Sequence, residues 1–313
     1  MEKVTFITTT KNDEKGAEML FSSLLLQTKL PDEIIVVDAE SNDGTKDVLM
    51  KFEASFKKKK IPFIVIDRNC NRGVGRNIAI KQASHKVVAV SDAGSMLSKE
   101  WLINISKPFS DKAISVVSGY YKAGDGTVFQ KCLAAYTCVM PNKLSEDFLP
   151  SSRSIAFRKS AWQKVQGYPE KLDSCEDLVF ARSLKDAGLK FYLEKKALVT
   201  WPQRTTLMDA AKQFFSYAFG EGQALYIRPQ TPLLFGRYIV GVTMFFYGFL
   251  HPQIWTYLLL GLVAYTLWAV VKNYKYVQDI RAMYLLPLLQ VVSDIAVMSG
   301  MICGVVNLLM QKK

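Results

Sequence analysis

Histidine is almost absent from this chain: His85 and His251 are the only two in 313 residues. Cysteine is sparse as well, with Cys70, Cys132, Cys138, Cys175 and Cys303 giving an odd count and no C-x-x-C spacing. That pattern excludes a Cys/His zinc module and a disulfide framework, and it predicts a reducing compartment. Acidic residues are the minority, 28 against 40 Lys and Arg, for a net charge of +12. No nucleic-acid module accompanies the excess, and its one tight run, the lysines at 57–60, reads as the solvated end of a helix; nucleic acid is not an expected partner. A protein held at an anionic cytoplasmic leaflet has the same balance. The N-terminus lacks a basic segment leading into a long apolar stretch, so no secretory signal is expected and the soluble part is placed in the cytosol.

What is present falls into two compositions. Up to about residue 228 the sequence alternates β and α patterns: strands over 4–9, 33–37, 63–66 and 87–90, helices over 15–26, 45–56 and 75–83. Continuous apolar strands alternating with helices predict an α/β fold with a mostly parallel sheet covered on both faces. Ligands on such sheets bind at the carboxyl ends of the strands, and the loops at 8–12, 38–43 and 92–95 converge there. From Thr231 the sequence is dominated by Leu, Val, Phe, Tyr and Met. Apolar stretches at about 233–250, 254–271 and 284–310 read as two to three membrane helices, since ~20 helical residues cross ~30 Å of hydrocarbon. The expected domains are thus 1–228, cytosolic, and 229–313, membrane, parted at the prolines Pro229 and Pro232. The third stretch holds Pro287, Gln290 and Asp294, and is expected to insert only from about Ser293. Lys272, Lys275 and Arg281 place the loop after the second stretch on the cytosolic side, whereas Lys312 and Lys313 would oppose a third full crossing. Arg237 and Asp294 are costly facing lipid and are expected near an interface or against another helix.

Two acidic sites carry the chemistry. Val88-Ala89-Val90-Ser91-Asp92-Ala93-Gly94-Ser95 is an apolar strand running into an acidic turn; Cys175-Glu176-Asp177-Leu178 opens a helix over 178–187. The first can set a carboxylate beside a metal-bound or phosphate-bearing ligand, and the second can supply a general base. An acidic helix start is the alternative for the second.

Other segments join these two in a recognisable order. Val36-Val37-Asp38-Ala39-Glu40-Ser41-Asn42-Asp43-Gly44-Thr45 resembles the V-V-D-D-G-S-x-D-G-T motif of family 2 glycosyltransferases. Asn71-Arg72-Gly73-Val74-Gly75-Arg76-Asn77 resembles the N-x-G…R-N helix start, and Ser91-Asp92-Ala93-Gly94 stands where the D-x-D motif belongs. The segment from Ser152 and Arg153 to Arg158, Gly167-Tyr168-Pro169-Glu170, and Glu176-Asp177 follow like acceptor-side segments. Roughly the first 220 residues take part. The resemblance implies the GT-A fold, a mixed, mostly parallel sheet flanked by helices, here with C-terminal transmembrane helices. It implies an inverting transferase taking a sugar from a nucleotide donor, a UDP-sugar first, to a lipid-linked or glycan acceptor at the cell membrane.

On that resemblance Asp177 is the base and Glu176 orients the loop or the acceptor. Thr8, Thr9, Lys11, Asp38, Arg72, Arg76, Asp92 and Ala93 are donor-side. Asp38 is expected on the nucleobase, or else as a turn residue; Arg76 is expected on the diphosphate, or else in a surface salt bridge. Ser152, Arg153, Tyr168 and Trp201 are acceptor-side. Asp92 is the expected ligand of Mg²⁺ or Mn²⁺, but Gly94 replaces the second aspartate of the motif, and Trp201-Pro202 stands where relatives often carry a histidine. The altered motif leaves open a catalytically silent relative acting as a nucleotide-sugar-binding or assembly subunit in a membrane complex, against which the intact Asp177 weighs. A nucleotidyltransferase would need a Gly-rich basic loop after the first strand, and Thr8-Thr9-Thr10-Lys11-Asn12 is not one. No Q-x-x-R-W string follows the base, so a non-processive enzyme adding one sugar is expected.

Overall fold

The computed structural model describes residues 2–311. The first seven elements alternate as the apolar runs predict: β1 (Val4–Thr10), α1 (Glu14–Leu25), β2 (Glu33–Asp38), α2 (Thr45–Lys58), β3 (Phe63–Asp67), α3 (Arg72–Gln82) and β4 (Val87–Val90). There follow β5 (Met96–Leu97), α4 (Trp101–Ser106), β6 (Val116–Ala123), α5 (Val128–Thr137), β7 (Ile155–Arg158), α6 (Lys159–Lys164), α7 (Glu176–Asp186) and β8 (Phe191–Trp201). The eight strands form one sheet in the order β3-β2-β1-β4-β7-β6-β8-β5. β1 pairs in parallel with both β2 and β4, and β2 with β3, so these strands all end at one edge. β7 runs antiparallel to β4 and to β6, which makes the sheet mixed.

The chain goes outward from β1 to β2 and β3, then returns to pair β4 on the other side of β1. That reversal opens a crevice at the carboxyl ends of β1 and β4, the place where open α/β sheets bind ligands. Both sheet faces are covered. Phe6, Ile34, Val36 and Ala89 pack with α1, α2 and Trp101 on one side, and Ile7, Ile35, Val37 and Val90 pack with Ala79, Ile80 and Phe180 on the other.

α3 starts three residues earlier than its apolar periodicity predicts. Asn71 caps it, its Oδ1 accepting from the Val74 N–H at 2.9 Å, and two glycines follow inside the first turns. A Cβ at Gly73 would lie 2.6 Å from the Pro169 carbonyl oxygen, and one at Gly75 would lie 2.9 Å from Thr9 Cγ2. The glycines therefore let the helix start close down on the crevice. The lysines at 57–60 are exposed at the end of α2, as a solvated helix terminus should be.

Two compact units divide the chain: residues up to Gly124 with Cys138–Pro202, and Asp125–Thr137 with the chain from Gln203 onward. The contact division thus falls at Pro202 rather than near residue 229, because α8 (Leu207–Gln223) is built into the second unit. There it lies against α11 (Ala282–Gln311) at a glycine crossing. A Cβ at Gly304 would stand 2.1 Å from the Phe219 carbonyl oxygen, and one at Gly222 would stand 2.5 Å from that of Met301. Small residues of this kind let two helix backbones touch.

α9 (Thr231–Tyr247) and α10 (Ile254–Asn273) complete the unit. α9 ends at Tyr247, short of the expected 250; its 17 residues reach only ~26 Å. Among the described residues, the helices long and apolar enough to cross a membrane are Ile254–Tyr276 and Ala282–Gln311. Leu259, Leu260, Leu262 and Leu267 are each more than half exposed, so α10 is not the core helix of a water-soluble bundle. α11 is one continuous helix through Pro287. Lys312 and Lys313 lie outside the described residues.

Arg237 and Asp294, unconnected in the sequence, are ion-paired at 2.7 Å between α9 and α11. Asp294 is buried; it also accepts from Gln290 Nε2 at 2.9 Å, from Tyr238 Oη at 3.1 Å and from Tyr265 Oη. One carboxylate therefore ties three helices together. Replacing Arg237 by leucine leaves the buried Asp294 carboxylate without its counter-ion, while replacing both residues does not. The losses of Arg237→Leu and Asp294→Leu are expected to sum to more than the loss of the double variant, with a coupling on the order of 1–3 kcal/mol in thermal unfolding of the detergent-solubilised protein; additive losses would show the pair to be idle.

Candidate active site

The loops at the crevice are stitched together by their own polar side chains. Ser41 Oγ accepts from the Asn12 N–H at 2.8 Å, and Asn12 Oδ1 accepts from the Asn42 N–H at 2.9 Å. Asp38 is fully buried at the end of β2, and both its oxygens serve the turn: Ser41 Oγ donates to Oδ1 at 2.5 Å and the Ser41 N–H to Oδ2 at 3.1 Å. The turn reading of Asp38 is thus realised. Thr8 and Thr10 are buried on one side of β1, and neither hydroxyl has a hydrogen-bond partner among the described residues. Thr9 is half-buried against Gly75, and Lys11 is exposed.

The centre of the site is Arg76. It is 1 % exposed, and its guanidinium binds two carboxylates: Nη2 donates to Asp92 Oδ1 at 2.7 Å and Nη1 to Glu176 Oε1 at 2.6 Å. It also lies 5.2 Å from the Tyr168 ring centroid. Arg76 is therefore not a surface salt bridge: it is buried and bound to both carboxylates. Glu176 is buried beside it as a counter-ion. Burial opposes ionisation of Asp92, but Arg76, with Arg153 and Arg72 adding to the field, outweighs it and holds the carboxyl below its ordinary range.

Asn77, the next residue on α3, is saturated. Its Oδ1 accepts from Trp162 Nε1 and the Tyr168 N–H, both at 2.9 Å, and its Nδ2 donates to the Tyr168 carbonyl at 2.9 Å and to Glu170 Oε1 at 3.0 Å. Arg76 and Asn77 together clamp α3 to the loop that delivers Glu176 and Asp177. The adjacency Arg-Asn within the helix-start motif was the only sequence signal for this, and it did not name the partners.

Tyr168 and Ser152, expected on the acceptor side, are buried. Tyr168 stacks on Phe180 at 3.9 Å, and its Oη is 3.1 Å from Ser152 Oγ. Burial pushes its phenol well up, so it stays protonated. Asp177 is half-buried at the first turn of α7, and its Oδ2 accepts from the Ser152 N–H at 3.3 Å. Arg153 lies over the Trp201 ring at 3.8 Å, and its carbonyl accepts from Ser91 Oγ at 2.8 Å. Arg72 is exposed at the start of α3 and makes no ion pair with a described residue; Ala93 is half-buried in the turn after β4. The structure thus gathers Arg76, Asp92, Glu176, Asp177, Tyr168, Ser152, Arg153 and Trp201 at one edge of the sheet.

A divalent cation is a poor match to this donor set. Asp92 gives one oxygen to Arg76, residue 94 is a glycine in the left-handed region (φ 79°), and no group of three His, Cys, Asp or Glu side chains suited to a metal occurs among the described residues. The residues present do not fit a cation held by the protein. A cavity of about 650 Å³ lies at the opposite edge, lined by Glu2, Lys3, His85 and Arg158 among others, and contains none of the candidate residues. No disulfide joins the described cysteines.

A mixed α/β sheet with an acidic turn at its switch point, and a second acidic pair at a helix start, defines a GT-A glycosyltransferase. The chain belongs to glycosyl transferase family 2, whose model matches residues 5–165. Glycosyltransferase AglE of Haloferax volcanii is 23 % identical over 225 residues, 70 % of this chain and 72 % of that protein. The poly(ribitol-phosphate) β-N-acetylglucosaminyltransferase TarS of Staphylococcus aureus is 25 % identical over 236 residues, 74 % of this chain but only 38 % of TarS. The crystal structure of TarS 1-349 with UDP matches at a TM-score of 0.50 and 23 % identity, over 69 % of this chain and 64 % of that one. Mannosyltransferase PcManGT from Pyrobaculum calidifontis, in complex with GDP-Man and Mn²⁺, matches at a TM-score of 0.59 and 16 % identity, over 100 % of this chain and 88 % of that one.

Removing Arg76 strands two carboxylates without a counter-ion. Arg76→Met is expected to cost about 3–5 kcal/mol in denaturant unfolding. The ionisation of Asp92 contributes stability that is complete above about pH 5 and is lost as pH falls through its unfolded value of about 3.9 toward the lower folded one. In Arg76→Met that acid-side loss should shrink; an unchanged pH profile would contradict the assignment.

Proposed function

We propose that this glycosyltransferase is an inverting, non-processive enzyme that transfers one sugar from a nucleoside-diphosphate donor to an acceptor presented at a membrane. The observation that carries the reading is Asp177, half-buried at the first turn of α7, fixed by the Ser152 N–H and linked through Glu176 and Arg76 to Asp92. In a single displacement the acceptor hydroxyl oxygen bonds to the anomeric carbon as the bond from that carbon to the diphosphate oxygen breaks. The electron pair leaves on the diphosphate, and Asp177 takes the hydroxyl proton. Glu176, bound to Arg76, orients the helix start that presents Asp177.

The nucleoside is assigned to the ends of β1 and β2, where Thr8, Thr9, Lys11 and Asp38 stand, with a UDP-sugar as the first donor to test. The UDP complex of TarS and the GDP-Man complex of PcManGT support a nucleotide or nucleotide-sugar ligand for this fold. A lipid-linked or glycan acceptor of cell-envelope polysaccharide or glycolipid synthesis is favoured by the exposed apolar faces of α10 and α11, which suit a multi-pass membrane anchor. Exposed Lys272, Lys275 and Arg281 favour a cytoplasmic side for the catalytic domain, read as residues 1–228. The missing Q-x-x-R-W string supports addition of a single sugar.

Asp177→Asn is expected to lower transfer of labelled sugar from the productive nucleotide sugar into membrane lipid or glycan by about 10²–10⁴-fold while leaving nucleotide affinity unchanged. Transfer near the wild-type rate would remove Asp177 from the reaction.

A further inference from the structure

The cavity of about 650 Å³ lies at the amino ends of β1 and β4, away from the crevice, and none of its lining residues enters the transfer chemistry. Its volume falls within the ~300–1,000 Å³ of small-ligand sites. Lys3 lines it from just before β1, Lys86 from just before β4, and Lys112 from the loop ahead of β6. All three are exposed, and none makes an ion pair or a side-chain hydrogen bond with a described residue. An ammonium has three donors and no acceptor. Three of them around one hollow present positive charge that nothing in the protein meets.

The acids nearby are already matched. Glu2, in the same lining, is ion-paired to Arg158 at 2.8 Å. Asp111, beside Lys112, is paired to Lys190 at 3.4 Å and accepts from the Ala113 N–H at 2.8 Å. The carbonyls at the end of α3 would repel an anion, but Lys159 Nζ donates to those of Lys81 and Ala83 at 2.9 and 2.7 Å. The backbone that carries the lysines is also held. Glu33 accepts from the Ser84 N–H at 2.9 Å and from its hydroxyl at 2.8 Å, and the Lys159 N–H donates to the Lys86 carbonyl at 2.8 Å. Arg158 Nε donates to the Ile114 carbonyl and Nη2 to that of Phe109, both at 2.9 Å. With Nη1 on Glu2, that guanidinium fastens the loop bearing Lys112 to the segment bearing Lys3.

The lining also names the class of ligand. Lysine meets phosphate as a point charge. Among the described residues that line the cavity there is no phenyl, phenol or indole ring to stack a base, and no aliphatic side chain to hold an apolar group. We propose that this cavity is a second anion site, which binds a compact phosphate-bearing ligand with the charge of pyrophosphate on Lys3, Lys86 and Lys112. The proposal goes beyond the transfer reaction, since the site shares no residue with the crevice. A free diphosphate and the headgroup of an anionic lipid offer the same chemistry, and a protein with membrane-length helices can meet both.

The test is calorimetric titration of inorganic pyrophosphate and inorganic phosphate into the full detergent-solubilised chain at low ionic strength, where exposed charges are least screened. Pyrophosphate is expected to bind, and phosphate to bind more weakly. Lys3→Gln/Lys86→Gln/Lys112→Gln should weaken pyrophosphate by about tenfold or more, and Lys112→Gln alone by about threefold. Lys57→Gln/Lys58→Gln/Lys59→Gln removes the same charge from the end of α2 and should change the affinity by less than about twofold. Thermal unfolding monitors the folding of each variant. Repeating the titration in lipid nanodiscs separates the two sources. Phosphatidylglycerol discs block pyrophosphate where phosphatidylcholine discs do not if a headgroup fills the cavity, and the two discs behave alike if the ligand is soluble. Absence of pyrophosphate binding to the wild-type chain, unchanged binding in the folded cavity variant, or equal weakening by the two triple variants overturns the inference.

Discussion

The catalytic unit depends on one buried guanidinium that holds two carboxylates. Arg76 comes from α3, Asp92 from the turn after β4 and Glu176 from the first turn of α7, so a single side chain joins three elements at the carboxyl edge of the sheet. Withdrawing so many charges from water is costly unless each is matched, and here the two short bonds of Arg76 match them. What results is order: the turn bearing Asp92 cannot move without the helix start bearing Asp177. Asn77 reinforces the link by saturating its amide on the loop at 162–170.

The half of the sheet that was legible in the sequence is its parallel half. β2 and β4 are buried along their whole length and carry unbroken apolar runs, and a run such as Ile34-Ile35-Val36-Val37 can be little else. The antiparallel half hid for physical reasons. β8 is broken by Glu194-Lys195-Lys196 at its exposed middle, and β6 slips register between Ser118 and Tyr120. Gly119 sits in that slip because a Cβ there would overlap Ser154 Oγ, 1.9 Å away.

The site was legible as a set of residues but not as a set of contacts. Arg76 and Glu176 are separated by 100 positions, and nothing local in either segment records the other. Arg76 therefore read as a phosphate ligand, and Tyr168 and Ser152 read as acceptor residues although they lie beneath the surface. Arg153 and Trp201 likewise read as separate acceptor contacts, and only the fold stacks one on the other. The same holds for Arg237 and Asp294, each conspicuous alone in an apolar stretch and paired only in three dimensions. Charged residues in unexpected settings are visible in a sequence; their partners are not.

The proposed single displacement, with Asp177 as base, would fix the stereochemistry of the sugar that leaves the donor. The most direct measurement is rapid NMR of the free sugar released when water replaces the acceptor, recorded before mutarotation erases its configuration. The account predicts that the first-formed sugar has the anomeric configuration opposite to that of the donor. Release with the donor's configuration retained would contradict it, since that outcome requires either two displacements or attack from the face of the leaving group, and not a single back-side displacement.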